Sequence, residues 1–198
     1  MKKLIKSVVL FITFILMFNH SNAQSKYILN CQYLLIESSH KICLNEIGTL
    51  ELTNNNDGDV EKYLSIFGLK SGSPYCAAGQ YYCFLEGAKK NNIDINSIPI
   101  IKTALAQSIF NNAKKCGKKS KYAAKKHDLI VWKRGNSSKG HIERVHKVLS
   151  NGWVITIGFN TSKIVNGKKL EGVFLQKRNI EHPLGRLQIK GLVGFDYD

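Results

Sequence analysis

Helical periodicity comes first along this chain, and strand-like alternation comes later. In residues 31–48 the apolar positions Leu34, Leu35, Ile42, Leu44 and Ile47 are compatible with a helix, with "SSHK" as a break point. "TNNNDGD" is a polar loop of turn formers. Asp57 or Asp59 is placed to cap a short helix, "VEKYLSIFG", that stops at Gly68. After the turn "LKSGSP" a further helix is expected over 76–87, with Gly87 as its stop. "NNIDINSIP" reads as loop, residues 102–116 as another helix ended by Gly117, and "KKSKYAAKK" as a basic linker.

From Asp128 the pattern changes. "DLIVWK", "IERVHKVL", "GWVITIGF", "GVFLQK" and "LVGF" are short β-rich runs separated by Gly, Asn and Ser. Helices first and an antiparallel sheet afterwards is the pattern of an α+β domain. That order places Cys76 at the start of a helix and His141 on a strand.

The extreme N-terminus has a different character. Lys2, Lys3 and Lys6 precede an apolar run from about Val8 to Phe18, and "SNA" follows with small residues at Ser21 and Ala23. The run is short for a bilayer span and no charged stop follows it. Residues 1–23 therefore read as a cleaved signal peptide, with an uncleaved anchor as the alternative. Residues 24–198 read as one catalytic-size domain with its core at about 42–196, and residues 24–40 have room for a pro-segment.

Charge narrows the partners. The formal net charge is +15, and removing Lys2, Lys3 and Lys6 leaves +12. Such a charge favours anionic partners, and for an exported protein envelope polymers come ahead of nucleic acid, which is not expected. Many lysines lie in "KK" pairs, which a solvated face explains as well as a binding groove does.

All five cysteines (Cys31, Cys43, Cys76, Cys83 and Cys116) lie beyond residue 23. An odd count leaves at least one thiol unpaired unless it bridges two chains. There is no CxxC and no Cys/His spacing typical of a zinc site, so no metal is expected.

Three residues have the chemistry of a hydrolytic site. Cys76 follows Pro74 and opens a helix, where unpaired amides and the dipole favour the thiolate. It reads equally as a nucleophile or as half of a disulfide. Cys83, seven residues on, shares its helical face and reads as core or bridge. His141, in "GHIERV", sits at a strand start after a glycine that permits close approach. Asn160 ends "GWVITIGFN" and is of a type that can orient a base histidine. Each has an ordinary structural explanation when taken alone. His40, His127 and His182 sit in loops or beside proline, and His146 faces away from His141 on a regular strand.

Together these stretches resemble the CHAP family (cysteine, histidine-dependent amidohydrolase/peptidase) of the papain-like NlpC superfamily. "NNNDGDVEKYLSIFGLKSGSPYCAA" resembles the approach to the family's nucleophile, "DLIVWKRG…GHIERV" the strands that deliver its histidine, and "ITIGFN" the strand of its orienting residue. The resemblance implies a papain-like fold, N-terminal helices packed on a C-terminal antiparallel sheet. It implies a Cys76–His141–Asn160 site that cleaves an amide bond of peptidoglycan through a thioester, with no cofactor and no metal. It further implies that Cys76 is the free thiol; the other four cysteines then allow three connectivities, of which Cys31–Cys43 with Cys83–Cys116 is the expected one. Tyr75, Gln80 and Glu143 are candidate substrate contacts. The expected protein is a monomer, with peptidoglycan, anionic envelope polymers and an inhibitor protein as candidate partners.

The chain departs from the family pattern in places. Glu143 stands two residues after the histidine, where the family often has a small residue. Gly158 stands two before the Asn, where many relatives carry an acid. Gly79 and Gln80 follow "CAA", where apolar residues are usual. Glu143 can crowd the cleft, pair with the imidazole, read a cationic substrate group or be simply solvated. The rival readings are a degenerate wall-binding or adaptor protein on the same fold, and a toxin that uses the same chemistry on another cell.

Overall fold

A computed structural model describes residues 24–197. The signal-peptide reading of residues 1–23 lies outside the described residues. Among the described residues there are four α-helices: α1 (Tyr33–Asn45), the short α2 (Glu61–Ser65), α3 (Cys76–Lys90) and α4 (Ala106–Cys116). Seven strands, β1 (Ser25–Asn30), β2 (Lys118–Ser120), β3 (Leu129–Lys133), β4 (Gly140–Val148), β5 (Trp153–Val165), β6 (Lys168–Asn179) and β7 (Gln188–Asp196), form one sheet in the order β2-β1-β7-β3-β4-β5-β6. Every pairing is antiparallel except that of β1 with β7. The expected α+β class, of papain-like type, is the class observed.

The sheet buries both faces. On one, Leu129, Val131, Ile142 and Val193 pack with Phe84, Ile109 and Phe110 of the helices. On the other, Ile130, Trp132, Val145, Val154 and Leu192 are covered by Tyr122, Leu184 and Leu187 from loops. The alternation of "LIVW" therefore reflects two cores. The β5–β6 hairpin turns at Asn166 and Gly167, both at positive φ, as a two-residue turn matched to strand twist requires.

Several expectations are corrected. Residues 25–30 form β1, inside the sheet between β2 and β7, so a pro-segment at residues 24–40 is not what they form. Lys26, which disguises this strand, is 2% exposed and reaches Asp128 at 2.5 Å and the Ala123 carbonyl at 2.9 Å. The basic linker contributes the edge strand β2. α1 is continuous through "SSHK", because Ser38, Ser39 and His40 are buried by packing that sequence periodicity does not register. Asp57 does not cap α2; it holds Thr53 through the backbone N and Oγ1.

Gly87 does not stop α3, which runs one turn further, to Lys90. A Cβ there would lie 2.9 Å from the Ser39 nitrogen, so this glycine is where α3 and α1 approach most tightly. Gly79 does similar work on the other side. A Cβ there would fall 2.2 Å from Cδ1 of Phe159, so the missing side chain lets α3 sit down on β5.

Candidate functional site

Cys76 is the first residue of α3. Pro74 lies just before the helix, where a missing N–H does no harm, and Lys89 and Lys90 complement the dipole at the other end. The N-cap residue Tyr75 makes no side-chain capping bond, so the first-turn amides have no side-chain acceptor. Cys76 is 4% exposed.

His141 is the second residue of β4 and 8% exposed. A Cβ on the preceding Gly140 would come 2.4 Å from the Trp132 carbonyl, which explains the glycine. The imidazole has two partners. Its Nε2 is 3.0 Å from Glu143 Oε1, and Cys76 is near enough to act electrostatically on the ring. With Nε2 taken by Glu143, Nδ1 is the nitrogen left for the thiol.

Glu143 is fully buried and held from three sides. Arg178 on β6 grips it with Nε 3.1 Å from both oxygens and Nη2 2.8 Å from Oε1, and Thr156 Oγ1 donates to Oε2. Room for it comes from the facing strand. Glu143 and Gly158 are partners in the β4–β5 register, and a Cβ on Gly158 would approach Glu143 Cδ to 3.0 Å.

The electrostatics follow from this enclosure. Burial alone would push the His141 pKa down, but the neighbouring Cys76 and the hydrogen bond and charge of Glu143 outweigh it and raise it to about 10. Burial would raise the Glu143 carboxyl, yet His141 and Arg178 bring it down to about 2. Both shifts favour a protonated His141 ring beside an ionised Glu143 carboxylate.

Asn160 borders the same cleft as His141, and its side-chain amide is bonded to Asn56. β5 bulges between Gly158 and Thr161, Asn160 has φ +56°, and its Nδ2 donates to Asn56 Oδ1. It lies on the rim of a cleft with two arms. One, of about 500 Å³, reaches Cys76 past Pro74, Leu105, Arg134 and Lys139. The other, of about 590 Å³, reaches His141 past Thr161, Glu171 and Arg178. Gly140, Asn160 and Leu187 border both arms.

All three candidate substrate contacts are buried. Tyr75 is fully buried, with its hydroxyl on Glu51 Oε1 at 3.0 Å. Gln80 is fully buried beneath β5, its Nε2 3.5 Å from the Ile157 carbonyl. Glu143 is engaged by protein groups on every side. Neither expected disulfide is formed, and all five cysteines are unbridged. Cys31 lies outside α1 and Cys43 in its last turns, roughly 15 Å along the helix, beyond the reach of a bridge. Cys83 is in the core while Cys116 is exposed.

The sequence contains one signal for Glu143: at two residues from His141 it shares the same strand face. Thr156 and Arg178 carry no such signal, because strand pairing brings them in from residues 13 and 35 positions away.

The fold and this cysteine–histidine pair define a papain-like α+β domain with the groups of a thiol hydrolase. Residues 68–160 match the family model of the CHAP domain, and this segment is a CHAP domain. The match takes in Cys76, His141, Glu143 and Asn160. CHAP domains are generally cysteine- and histidine-dependent amidohydrolases, which points to activity of the peptidoglycan-hydrolase type. No curated protein and no solved structure gave a match.

Proposed function

We propose that this protein is an exported cysteine hydrolase that cleaves an amide bond of peptidoglycan, with Cys76 as nucleophile, His141 as acid–base and Glu143 as the residue that orients His141. The observation that carries this reading is the buried His141–Glu143–Arg178 hydrogen-bonded chain, with Cys76 at the head of α3 acting on the His141 ring.

The chemistry runs along that chain. Proton transfer from Sγ to the imidazole gives a thiolate–imidazolium pair. The thiolate attacks the amide carbonyl carbon, and the oxyanion that forms is stabilised by first-turn amides of α3, including that of Cys76. His141 gives its proton to the departing amine as the C–N bond breaks. It then takes a proton from water, which attacks the thioester, and collapse releases the carboxylate product and Cys76. Glu143 fixes the ring with Nε2–H toward the carboxylate and stabilises the imidazolium.

Export rests on the N-terminal "MKKLIKSVVLFITFILMF…SNA" pattern and on the charge of the remainder. Among the described residues no helix is long and apolar enough to cross a membrane. A cationic enzyme suits an anionic wall.

The test is digestion of purified sacculi by residues 24–198, wild type beside Cys76→Ala, with products resolved by mass spectrometry. Release of fragments by the wild type alone is expected, and their masses distinguish a sugar–peptide amidase from an endopeptidase. Binding without cleavage by both proteins, on sacculi of differing peptide chemistry, would replace this reading with that of a wall-binding protein.

A further inference from the structure

The second buried cysteine cluster lies away from the cleft. Cys43 on α1 and Cys83 on α3 are both fully buried in the same apolar cluster, with Tyr63, Phe159 and Val173 among its members. The two thiols are close enough to shift each other's titration in opposite directions. Their juxtaposition is built into the helix pair. α1 and α3 touch most closely at Ser39 and Gly87, and Cys43 and Cys83 lie one turn from that point, four residues on in one helix and four back in the other. Two antiparallel helices that meet at 39 and 87 must therefore bring 43 and 83 face to face.

A third group sits beside them. Arg144 on β4 is fully buried and reaches Ser39 Oγ at 2.9 Å, the Ile36 carbonyl at 3.0 Å and Cys43 Sγ at 3.8 Å. Among the described residues this guanidinium forms no ion pair. A buried cation with only neutral acceptors favours negative charge on the nearest sulfur, and Cys43 is held below the usual thiol range while Cys83 is driven well above it. In both cases burial raises the thiol. At Cys43 the neighbouring Cys83 and the Arg144 charge overcome it.

We propose that Cys43 and Cys83 form a disulfide in the exported protein, clamping α1 onto the helix that carries the nucleophile. The helix register, the shared burial and the neighbouring Arg144 support this pair over the two other cysteines beyond the site. Cys31 and Cys116 are partly or fully exposed and lie at the ends of α1 and α4. Oxidation removes two electrons and two protons from the thiols. The acceptor is a disulfide of the envelope, such as that of a thiol oxidase, which is reduced to two thiols. Because both sulfurs are inaccessible in the folded chain, exchange takes place while the helix pair is still closing. The Cys43 thiolate attacks the oxidant's disulfide, and Cys83 then displaces the oxidant from the mixed disulfide. The oxidising compartment is the one that the export reading supplies. The pairing itself is tested without it.

The experiment uses residues 24–198, refolded in equimolar oxidised and reduced glutathione, then denatured and alkylated with iodoacetamide before peptide mass mapping. Alkylation of Cys31, Cys76 and Cys116 is expected, with a linked peptide pair containing Cys43 and Cys83 that is about 2 Da lighter than the two free peptides together. Reduction should lower the melting temperature of the wild type by roughly 10 °C. It should leave that of Cys43→Ala/Cys83→Ala unchanged. Alkylation of all five cysteines, or a bridge from Cys43 or Cys83 to any other cysteine, would overturn the inference, whatever the sacculus digestion shows. An unshifted melting temperature on reduction would remove the clamping role.

Discussion

Glu143 and Gly158 face each other across β4 and β5, and the carboxylate of the first occupies space that the second leaves open. Taken separately, each is a departure from the family pattern. Together they describe one carboxylate moved across a strand pair, from the position two before Asn160 to the position two after His141. The supposed signs of a lost site are thus two halves of one arrangement.

This relationship predicts the behaviour of the pair. Glu143→Gln should lower kcat on the order of 10²–10⁴-fold with KM changed far less, since the residue acts through His141 and not on substrate. Glu143→Gly combined with Gly158→Asp should recover part of the activity that Glu143→Gly loses. Steady-state hydrolysis of soluble wall fragments measures both. Equal activity of the single and double variants would show that the opposing positions do not exchange the carboxylate.

Gly158 also has a stability role. A Cβ there would meet Thr161 Cγ2 at 2.7 Å as well as Glu143. Gly158→Ala should cost about 1–3 kcal/mol and reduce activity together with stability. Gly79→Ala, whose Cβ would strike the fully buried Phe159 ring, should cost at least as much. Each kcal/mol corresponds to a fall of roughly 2–4 °C in Tm for a chain of this size, readable by calorimetry.

The pH dependence has a defined sign. The His141 pKa is raised in the folded state, so its contribution to stability is complete below about 6.5 and is lost as pH rises through about 10. That of Glu143 is depressed, so its contribution is complete above about 4.5 and is lost as pH falls toward about 2. Activity should hold into the alkaline range and fall as His141 loses its proton. The alkaline limb should move to lower pH in Glu143→Gln. NMR titration of the His141 ring should show a lower pKa in Cys76→Ala too, because Cys76 is one of the two residues that raise it.

The β1 strand depends on a buried ion pair. Asp128→Ala would leave the Lys26 ammonium enclosed with only the Ala123 carbonyl as a named acceptor. A loss of about 3–5 kcal/mol is expected, measured by urea unfolding. A loss below about 1 kcal/mol would mean that water reaches Lys26.

The hydrophobic pattern and punctuation of this sequence determined the α+β class, four of the helical segments and the five C-terminal strands. Those features are local: each depends on residues a turn or a strand apart. Local signals also placed Cys76 at a helix start and His141 at a strand start. Tertiary structure decided what has no local period. β1 was hidden because its lysine is buried against an aspartate 102 residues away. Gly87 looked like a helix stop because the sequence does not reveal that α1 passes there. Asn160 looked like the orienting residue because its type and place at a strand end fit, but a bulge and a left-handed φ turn it to Asn56. Glu143, bonded to the His141 ring, is held there by the facing strand β5 and a guanidinium from β6, contacts set by sheet register across long separations. The same holds for Cys43 and Cys83. Their proximity follows from the packing of two helices, and the thirty-nine intervening residues give no sign of it.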